Sequence, residues 1–209
     1  MIKELLGKKI GMTQIFAQNA DFIGVTALEV EPACILEKVT YPEGVKARVG
    51  YFKVSDNKIN KVKKPLLGFF KKIGVPPYKI VKEVDVEKDN EIEPKKEIGV
   101  DILKEGEFVD VRAKSKGRGF QGGMKRHGWR GQPRTHGSTT HRRIGSSGST
   151  TFPGRIIKGL KMPGHMGDSY VTVKNLKVVK VDSEKNILYI CGAVPGAQGA
   201  VVSIKRVSV

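Results

Sequence analysis

All four histidines of this 209-residue chain fall within one stretch, Ala113–Gly167, that also holds 12 lysines and arginines. Histidine can ligate a metal or act as a general acid or base, but both tasks usually draw on carboxylates or thiols as partners. The same 55 residues contain no Asp, Glu or Cys, which also excludes a Ser-His-Asp arrangement inside them. We therefore predict no catalytic site, no metal site and no cofactor, and hence a protein that is not an enzyme.

A second chemical pattern in this basic stretch is the glycine spacing of Gly117–Gly122, which matches that of dinucleotide-binding turns. Such a turn needs an amphipathic helix directly after it and an acidic residue about 20 positions further on, to hold the ribose. Residues 123–131 show no helical stripe of apolar side chains, and no acid occurs before Asp168. We reject a nucleotide site; the 13 glycines of the stretch instead allow a backbone to pass close to phosphates.

The distribution of charge is the strongest signal in the sequence. The chain has a net charge of +17, and the basic stretch supplies +12 of it; the other 154 residues hold 26 basic and 21 acidic residues. A long segment without acids indicates a polyanionic partner. Lysine and arginine can pair with phosphates, and Phe120, Trp129 and Phe152 are candidates to stack on unpaired bases. For Trp129, packing as an anchor on the protein's own barrel is an equal alternative.

The basic stretch also has too few bulky apolar residues to build a core. Ordering each backbone residue costs about 1–2 kcal/mol, which so few apolar groups cannot offset. A structureless loop of this length is rare inside a compact domain. We therefore predict that RNA gives the stretch its shape. The predicted RNA-binding residues, all basic or aromatic, are Lys114, Lys116, Arg118, Phe120, Lys125, Arg126, Trp129, Arg130, Arg134, His136, His141, Arg142, Arg143, Arg155, Lys158, Lys161 and His165.

Patterns typical of β-strands flank the basic stretch on both sides. They occur at Phe22–Val30, Cys34–Val39, Val45–Phe52, Phe108–Arg112, Val171–Val181, Ile187–Cys191 and Val201–Ile204. The polar residues Asp182–Asn186 predict a hairpin turn. Because strands from both ends of the chain must pair to bury their apolar faces, we expect a mainly β fold with an antiparallel barrel.

This pattern divides the chain into three predicted parts. Residues 1–54, 95–112 and 168–209 form the barrel core, and residues 113–167 form a long irregular basic extension. Residues 55–94 form a small inserted α+β lobe, with a short helix around Leu66–Phe70 that Pro76 and Pro77 must end.

Two further features concern the compartment. No apolar run is long enough to cross a bilayer, and Met1–Lys9 carries charges where a secretory signal would be apolar, so we expect a cytoplasmic protein. Cys34 and Cys191 form no CxxC pair and are predicted to be reduced thiols within strands.

Several sequence blocks, in order, resemble the universal large-subunit ribosomal protein L3 family in its bacterial form. The first, Leu6–Phe16, is similar to the opening of the family, and Asp110–Gly122 with Lys125–Gly128 is similar to its most specific signature. Further matching blocks are Thr135–Gly137, His141–Arg142, Pro153–Arg155, Lys158–Gly159, Lys161–Met162, Gly164–Gly167 and Gly192–Ala197.

The resemblance implies a structural constituent of the large subunit, present as a monomer in the ribosome, with a six-stranded barrel of the kind shared with translation factors. It implies an extension that binds 23S rRNA toward the peptidyl-transferase centre, a role in nucleating assembly, and contacts with ribosomal proteins L fourteen and L nineteen. Neither a membrane nor a small-molecule substrate is implied. By position, the tip of the extension comprises Gly145, Ser146, Ser147, Gly148, Ser149, Thr150, Thr151 and Phe152.

The tip departs from the common bacterial pattern at two positions. Ser147 stands where the family has isoleucine, and Ser149 stands where it often has glutamine or asparagine. That glutamine is methylated in some bacteria, so the modification is not expected here. The alternative to a ribosomal constituent is a free RNA- or DNA-binding factor that uses the same basic stretch. Sedimentation with the large subunit through a salt wash separates the two.

Overall fold

A computed structural model describes residues 2–16, 21–42, 44–86 and 93–207. The chain separates into two compact units, Met1–Lys114 with Tyr170–Val209, and Ser115–Ser169; we call the second the basic unit. Residues 87–92 of the predicted lobe lie outside the described residues. Within the described ranges, no helix has both the length and the apolar character needed to cross a membrane.

The elements of the described residues are mostly strands. In chain order these are β1 Glu4–Phe16, β2 Phe22–Glu29, β3 Ala33–Tyr41, β4 Gly44–Lys53, β5 Tyr78–Asp85, β6 Glu97–Ile98, β7 Phe108–Lys114, β8 Phe120–Gln121, β9 Gly164–His165, β10 Tyr170–Asp182, β11 Ile187–Cys191 and β12 Val201–Arg206. The helices are α1 Lys64–Ile73 and α2 Gly123–His127, with 3-10 helices at Asp56–Lys61 and Val100–Ile102.

Six antiparallel strands close into a barrel in the order β1-β12-β7-β10-β11-β2. Along β7, Val109, Val111 and Ala113 are buried and the residues between them are not, which is the period-two pattern of a strand with one face on a core. Strands from the two ends of the chain pair directly, as β1 with β12, because neither could bury its apolar face alone. The predicted antiparallel β-barrel and the hairpin that joins β10 to β11 are confirmed.

Strands β3, β4 and β5, with the two-residue β6, form a separate four-stranded sheet in the order β5-β4-β3-β6. The sequence grouped β3 and β4 with the barrel, and the structure places them in this sheet instead. The reason lies in β3, where Ala33 and Ile35 join the main core while Cys34 and Leu36 pack on the opposite face with Phe70. A strand that is buried on both faces must be apolar on both.

Helix α1 covers the second face of this sheet. It is longer than the predicted Leu66–Phe70 and ends at Gly74, whose left-handed φ of 75° lets its N–H donate to the carbonyl of Phe70. The helix therefore stops before Pro76 and Pro77. Phe70 is its buried residue and packs against Tyr78 of β5 with ring centroids 6.2 Å apart.

Residues near the two ends of the chain meet where the barrel closes. The Nζ of Lys9 donates to the carbonyl of Val194 at 2.6 Å, and the buried hydroxyl of Thr26 donates to the carbonyl of Gly192 at 2.7 Å. Val194 is itself buried. Cys34 in β3 is buried and Cys191 in β11 is partly buried, and both are free thiols.

Candidate nucleic-acid interface

The basic unit begins and ends as two antiparallel legs. Phe120 pairs with His165 across the short ladder of β8 and β9. Below it, the N–H of Arg118 donates to the carbonyl of Met166, and the N–H of Met166 donates to the carbonyl of Gly119, both at 2.9 Å. At Gly167, whose φ is 77°, a Cβ would lie 2.1 Å from the carbonyl oxygen of Lys116. The legs therefore pack closely only because this residue has no side chain.

Helix α2 follows the first leg directly, although residues 123–131 show no apolar stripe that would predict a helix there. It has five residues and is capped by Gly128 at a φ of 71°. Such a helix is too short to present the amphipathic stripe of a dinucleotide-binding domain. The structure thus differs from the sequence interpretation by one short turn of helix after these glycines.

Trp129 packs against the start of α2. A Cβ on Gly123 would lie 2.0 Å from the indole ring, and the ring of Trp129 stacks on that of His127 with centroids 6.2 Å apart. Gly123 is the one buried residue of the basic unit, and Trp129 is half-buried. The tryptophan therefore anchors the basic unit's own helix and keeps part of its ring exposed.

Two side chains of α2, Arg126 and His127, hold the helix against the return leg. The guanidinium of Arg126 donates to the carbonyl of Met162 at 2.7 Å, and Nε2 of His127 lies 2.9 Å from the same oxygen. A carbonyl only accepts, so Nε2 must carry the proton of the His127 ring. Arg126 thus has a role within the basic unit as well as an exposed position.

The loop after α2 gathers three of the predicted arginines. The N–H of Gln132 donates to the carbonyl of His141 at 3.0 Å, and Nδ1 of His141 lies 2.9 Å from the carbonyl of Pro133. These contacts fold residues 130–142 into a concave pocket. It is lined by Met124, Arg130, Gln132, Arg134, His141 and Arg142. Three guanidinium groups around one concavity suit an anion with several acceptor oxygens.

The other predicted residues are spread along the unit. Lys116 and Arg118 lie on the outgoing leg, Lys125 on α2, and His136 and Arg143 on the loop. Arg155, Lys158, Lys161 and His165 follow on the return leg, and Lys114 ends β7 in the first unit. At the tip, the Ser146 hydroxyl donates to the carbonyl of Gly148 at 3.0 Å, and all eight tip residues are exposed.

Exposure is the property that these residues share. Apart from Trp129, every predicted RNA-binding residue is exposed, including Phe120 at 76% and, at the tip, Phe152 at 86%. Ile144, Ile156, Ile157 and Leu160 are exposed too, and no hydrophobic side chain between Ser115 and Ser169 is buried. A segment that leaves this many large apolar side chains uncovered favours a partner that covers them.

Sequence reasoning missed a second set of basic residues, which lies in the first unit. Residues 53–79 hold eight lysines and a single acid, Asp56. The net positive charge of residues 53–79 could have been found in the sequence. It was overlooked because the basic stretch has a larger net charge.

Comparison with known proteins gives consistent matches over almost the whole chain. The family model described as ribosomal protein L3 matches residues 6–188, a range that includes the lobe as well as the basic unit. The chain is 46% identical over 206 residues to the large ribosomal subunit protein uL3 of Thermotoga petrophila, covering 98% of this chain and 97% of that protein. It is 44% identical over 208 residues to uL3 of Syntrophus aciditrophicus, covering 99% and 94%. The figures for uL3 of Carboxydothermus hydrogenoformans are 44% over 208 residues, 99% and 98%.

Proposed function

Since the chain belongs to the ribosomal protein L3 family, we propose that its basic unit binds ribosomal RNA of the large subunit and takes its working shape from that RNA. Family membership confirms the resemblance and the predictions of a non-enzymatic ribosomal protein that resides on the ribosome. It also disfavours the free nucleic-acid-binding factor, because the matched relatives are named as large-subunit proteins.

The observation that carries the proposal is the lack of a core in the basic unit. Burying a large apolar side chain contributes about 1.5–3 kcal/mol, and the basic unit buries none of its own. RNA offers what is missing, because bases cover apolar and aromatic side chains while phosphates neutralise the 12 positive charges of the basic stretch. The partner thereby contributes the packing that the protein lacks.

Each kind of side chain has a distinct part in this binding. The lysines and arginines pair with phosphates of the RNA. The pocket of Arg130, Arg134 and Arg142 holds one of these phosphate groups. Phe120 and Phe152 stack on unpaired bases. Trp129 and Arg126 also make contacts within the basic unit, through α2 and Met162, so they hold a local turn around which the RNA orders the rest.

The family supports the finer parts of the proposal. We propose that the partner RNA is 23S rRNA, that the tip Gly145–Phe152 lies near the peptidyl-transferase centre, and that binding helps to nucleate subunit assembly. The barrel is of the type shared with translation factors and contacts L fourteen and L nineteen. Residues 1–54, 95–112 and 168–209 act as the docking core, 55–94 as a lobe and 113–167 as the RNA-binding extension.

Removal of the basic unit tests the proposal. Lys114 and Tyr170 are register partners on β7 and β10, so Ser115–Ser169 can be replaced by a two-residue hairpin turn. We expect the shortened chain to keep its β-sheet circular dichroism and a cooperative unfolding transition, because its core is intact. It should be absent from large subunits isolated from cells that also make the full-length chain.

The control is the full-length chain carrying the same tag, expressed to the same level. Salt-washed large subunits that contain the shortened chain as often as the control would contradict the proposal. So would a full-length chain whose affinity for transcribed 23S rRNA equals that of the shortened one.

A further inference from the structure

A second concentration of positive charge lies in residues 53–79 of the first unit. These 27 residues hold eight lysines and one acid, a net charge of +7. Outside this region and the basic stretch, 127 residues remain, with 18 basic and 20 acidic side chains, so their net charge is −2. The two regions together account for all of the chain's positive excess. The rest of the protein is close to neutral.

The fold gathers these lysines around one groove. They come from the end of β4, the 3-10 helix Asp56–Lys61, the residue before α1, and β5, and β1 adds one more. The lysines that line the groove are Lys8, Lys53, Lys58, Lys61, Lys63 and Lys79. Glu31 is the one acid among the described lining residues, and it forms an ion pair with Lys8. Five ammonium groups are left without that neutralisation.

The lysines of the groove lack the ion pairs that basic residues form elsewhere in the first unit. Ion pairs elsewhere join Lys46 to Asp85, Lys82 to Glu4, Arg48 to Glu37 and Glu83, Lys96 to Glu93, and Arg206 to Glu107. Among the described residues, the lysines at 53, 58, 61, 63 and 79 form no ion pair, and all five are exposed. Like charges held together without acids repel one another, so an anion bound among them is stabilising.

The groove is also formed in advance by the protein's own packing. In the 3-10 helix, the N–H of Lys58 donates to Ser55 at 2.8 Å; beyond it, the N–H of Val54 donates to Pro77 at 2.9 Å. Phe52 and Tyr78, which line the groove, are buried. The positions of the backbone that carries the lysines are therefore fixed before any partner arrives.

From this arrangement we propose that the lysine groove is a second RNA-binding site, which holds the phosphate backbone of a large-subunit RNA segment other than the one bound by the basic unit. The inference rests on the proposed function for the choice of RNA as the polyanion. Among its described lining residues, the groove contains lysine and no arginine. Ammonium groups act as point charges toward successive phosphates, whereas base or carboxylate recognition favours the planar fork of arginine. The groove thus positions the protein on the RNA and adds affinity, without recognising the base sequence.

The test uses the full-length chain with transcribed 23S rRNA as the probe. The groove variant carries Lys58→Gln, Lys61→Gln and Lys63→Gln. Its matched control carries Lys104→Gln, Lys180→Gln and Lys185→Gln, three exposed lysines outside both basic regions. We expect the plot of log affinity against log salt to become shallower by about 2 for the groove variant and to stay unchanged for the control. Circular dichroism of both variants establishes that the fold is kept.

Hydroxyl-radical footprinting of the same complexes locates the contact. The groove variant should lose backbone protection in one RNA element and keep the protections that disappear when Ser115–Ser169 is removed. Two results would overturn the second site. One is a groove variant whose log affinity falls with log salt as steeply as that of the control. The other is a groove variant that loses the same RNA protections as the chain without Ser115–Ser169. If the groove variant alone loses protections while removal of the basic unit changes nothing, then the proposed function fails and the groove site stands. An acidic protein as the true occupant would leave RNA binding by the groove variant unchanged.

Discussion

The unit Met1–Lys114 with Tyr170–Val209 and the basic unit Ser115–Ser169 differ most in where their hydrophobic side chains lie. All 29 buried hydrophobic residues of the described ranges belong to the first unit, and none belongs to the second. The first unit pairs many of its basic residues with acids, while the basic stretch, residues 113–167, contains no acid. One part of the chain can therefore fold against itself, and the other exposes the apolar and cationic side chains from which we propose an RNA partner.

The two basic regions show how this difference affects binding. In the basic stretch, seven of the 12 cations are arginine, and 13 glycines let the backbone follow a partner closely. In residues 53–79, all eight cations are lysine, carried on elements that their own core holds in place. A preformed surface suits a backbone contact, whereas an arginine-rich and glycine-rich chain suits close packing among bases and phosphates.

The comparison predicts opposite effects for one substitution made in the two units. Phe70→Ala removes a ring that is 1% exposed and should lower the free energy of unfolding by about 3–5 kcal/mol, because a cavity remains in the core. Phe152→Ala removes a ring that is 86% exposed and should change the free energy of unfolding by less than about 0.5 kcal/mol. Urea unfolding followed by circular dichroism measures both.

Phe152→Ala should instead weaken binding to 23S rRNA by about 1–3 kcal/mol, as expected for the loss of one base stack. Phe70→Ala, where it remains folded, should leave that affinity unchanged. If Phe152→Ala destabilised the free protein as much as Phe70→Ala, the basic unit would have a core of its own and the comparison would fail.

A smaller and local effect is expected at Gly123. Gly123→Ala places a methyl group 2.0 Å from the Trp129 ring, so the indole must move, at a cost of about 1–3 kcal/mol to the packing of α2. Trp129 is the chain's one tryptophan, so its fluorescence reports on the basic unit alone. We expect a red-shifted emission with an unchanged unfolding midpoint by circular dichroism. Gly122→Ala is the control, because a Cβ there meets nothing within 4 Å. A shifted unfolding midpoint in Gly123→Ala would contradict the expectation, since it would show that the Trp129 packing stabilises the whole chain.

The smallest effect concerns pH and belongs to the first unit. Hydrogen bonds from Arg48, at 2.9 Å, and from Tyr41 hold the pKa of the Glu83 carboxyl below its usual value. A carboxyl whose folded-state pKa is lowered stabilises the fold above its unfolded pKa, and this contribution is lost as the pH falls through the folded value. Glu83→Gln should therefore lower the urea midpoint slightly at pH 7, and its difference from wild type should shrink as the pH falls toward 3.

The control for this measurement is Glu184→Gln, which removes a carboxylate from the exposed turn between β10 and β11. It should not reproduce the pH-dependent difference. An equal deficit of Glu83→Gln at both pH values would mean that the hydrogen bonds, rather than the ionised carboxylate, account for its effect. Residues 113–167 contain no carboxylate, so the basic stretch has no carboxyl group that could add to this acid sensitivity.

Much of the first unit could be predicted from local patterns. The alternation in Phe108–Arg112 and the polar turn Asp182–Asn186 gave β7 and the β10–β11 hairpin correctly, because these depend on neighbouring residues only. The assignment of β3 and β4 to the barrel differed from the structure, because two adjacent sheets that share one core give the same alternation as a single sheet. Helix α2 and the packing of Trp129 on Gly123 had no periodic signal, since five residues are too few to show one.

The sequence by itself determined that residues 113–167 have too few apolar side chains for a core, that their charge favours a polyanionic partner, and to which family the chain is similar. Composition decides these points, since charge and apolar content set what a segment can bury before it folds. Only the tertiary structure decided which strands close the barrel, how Lys9 reaches the carbonyl of Val194 across the chain, and how lysines from five separate stretches line one groove. Those contacts join residues that are distant in sequence, and a local pattern carries no information about which distant residues will meet.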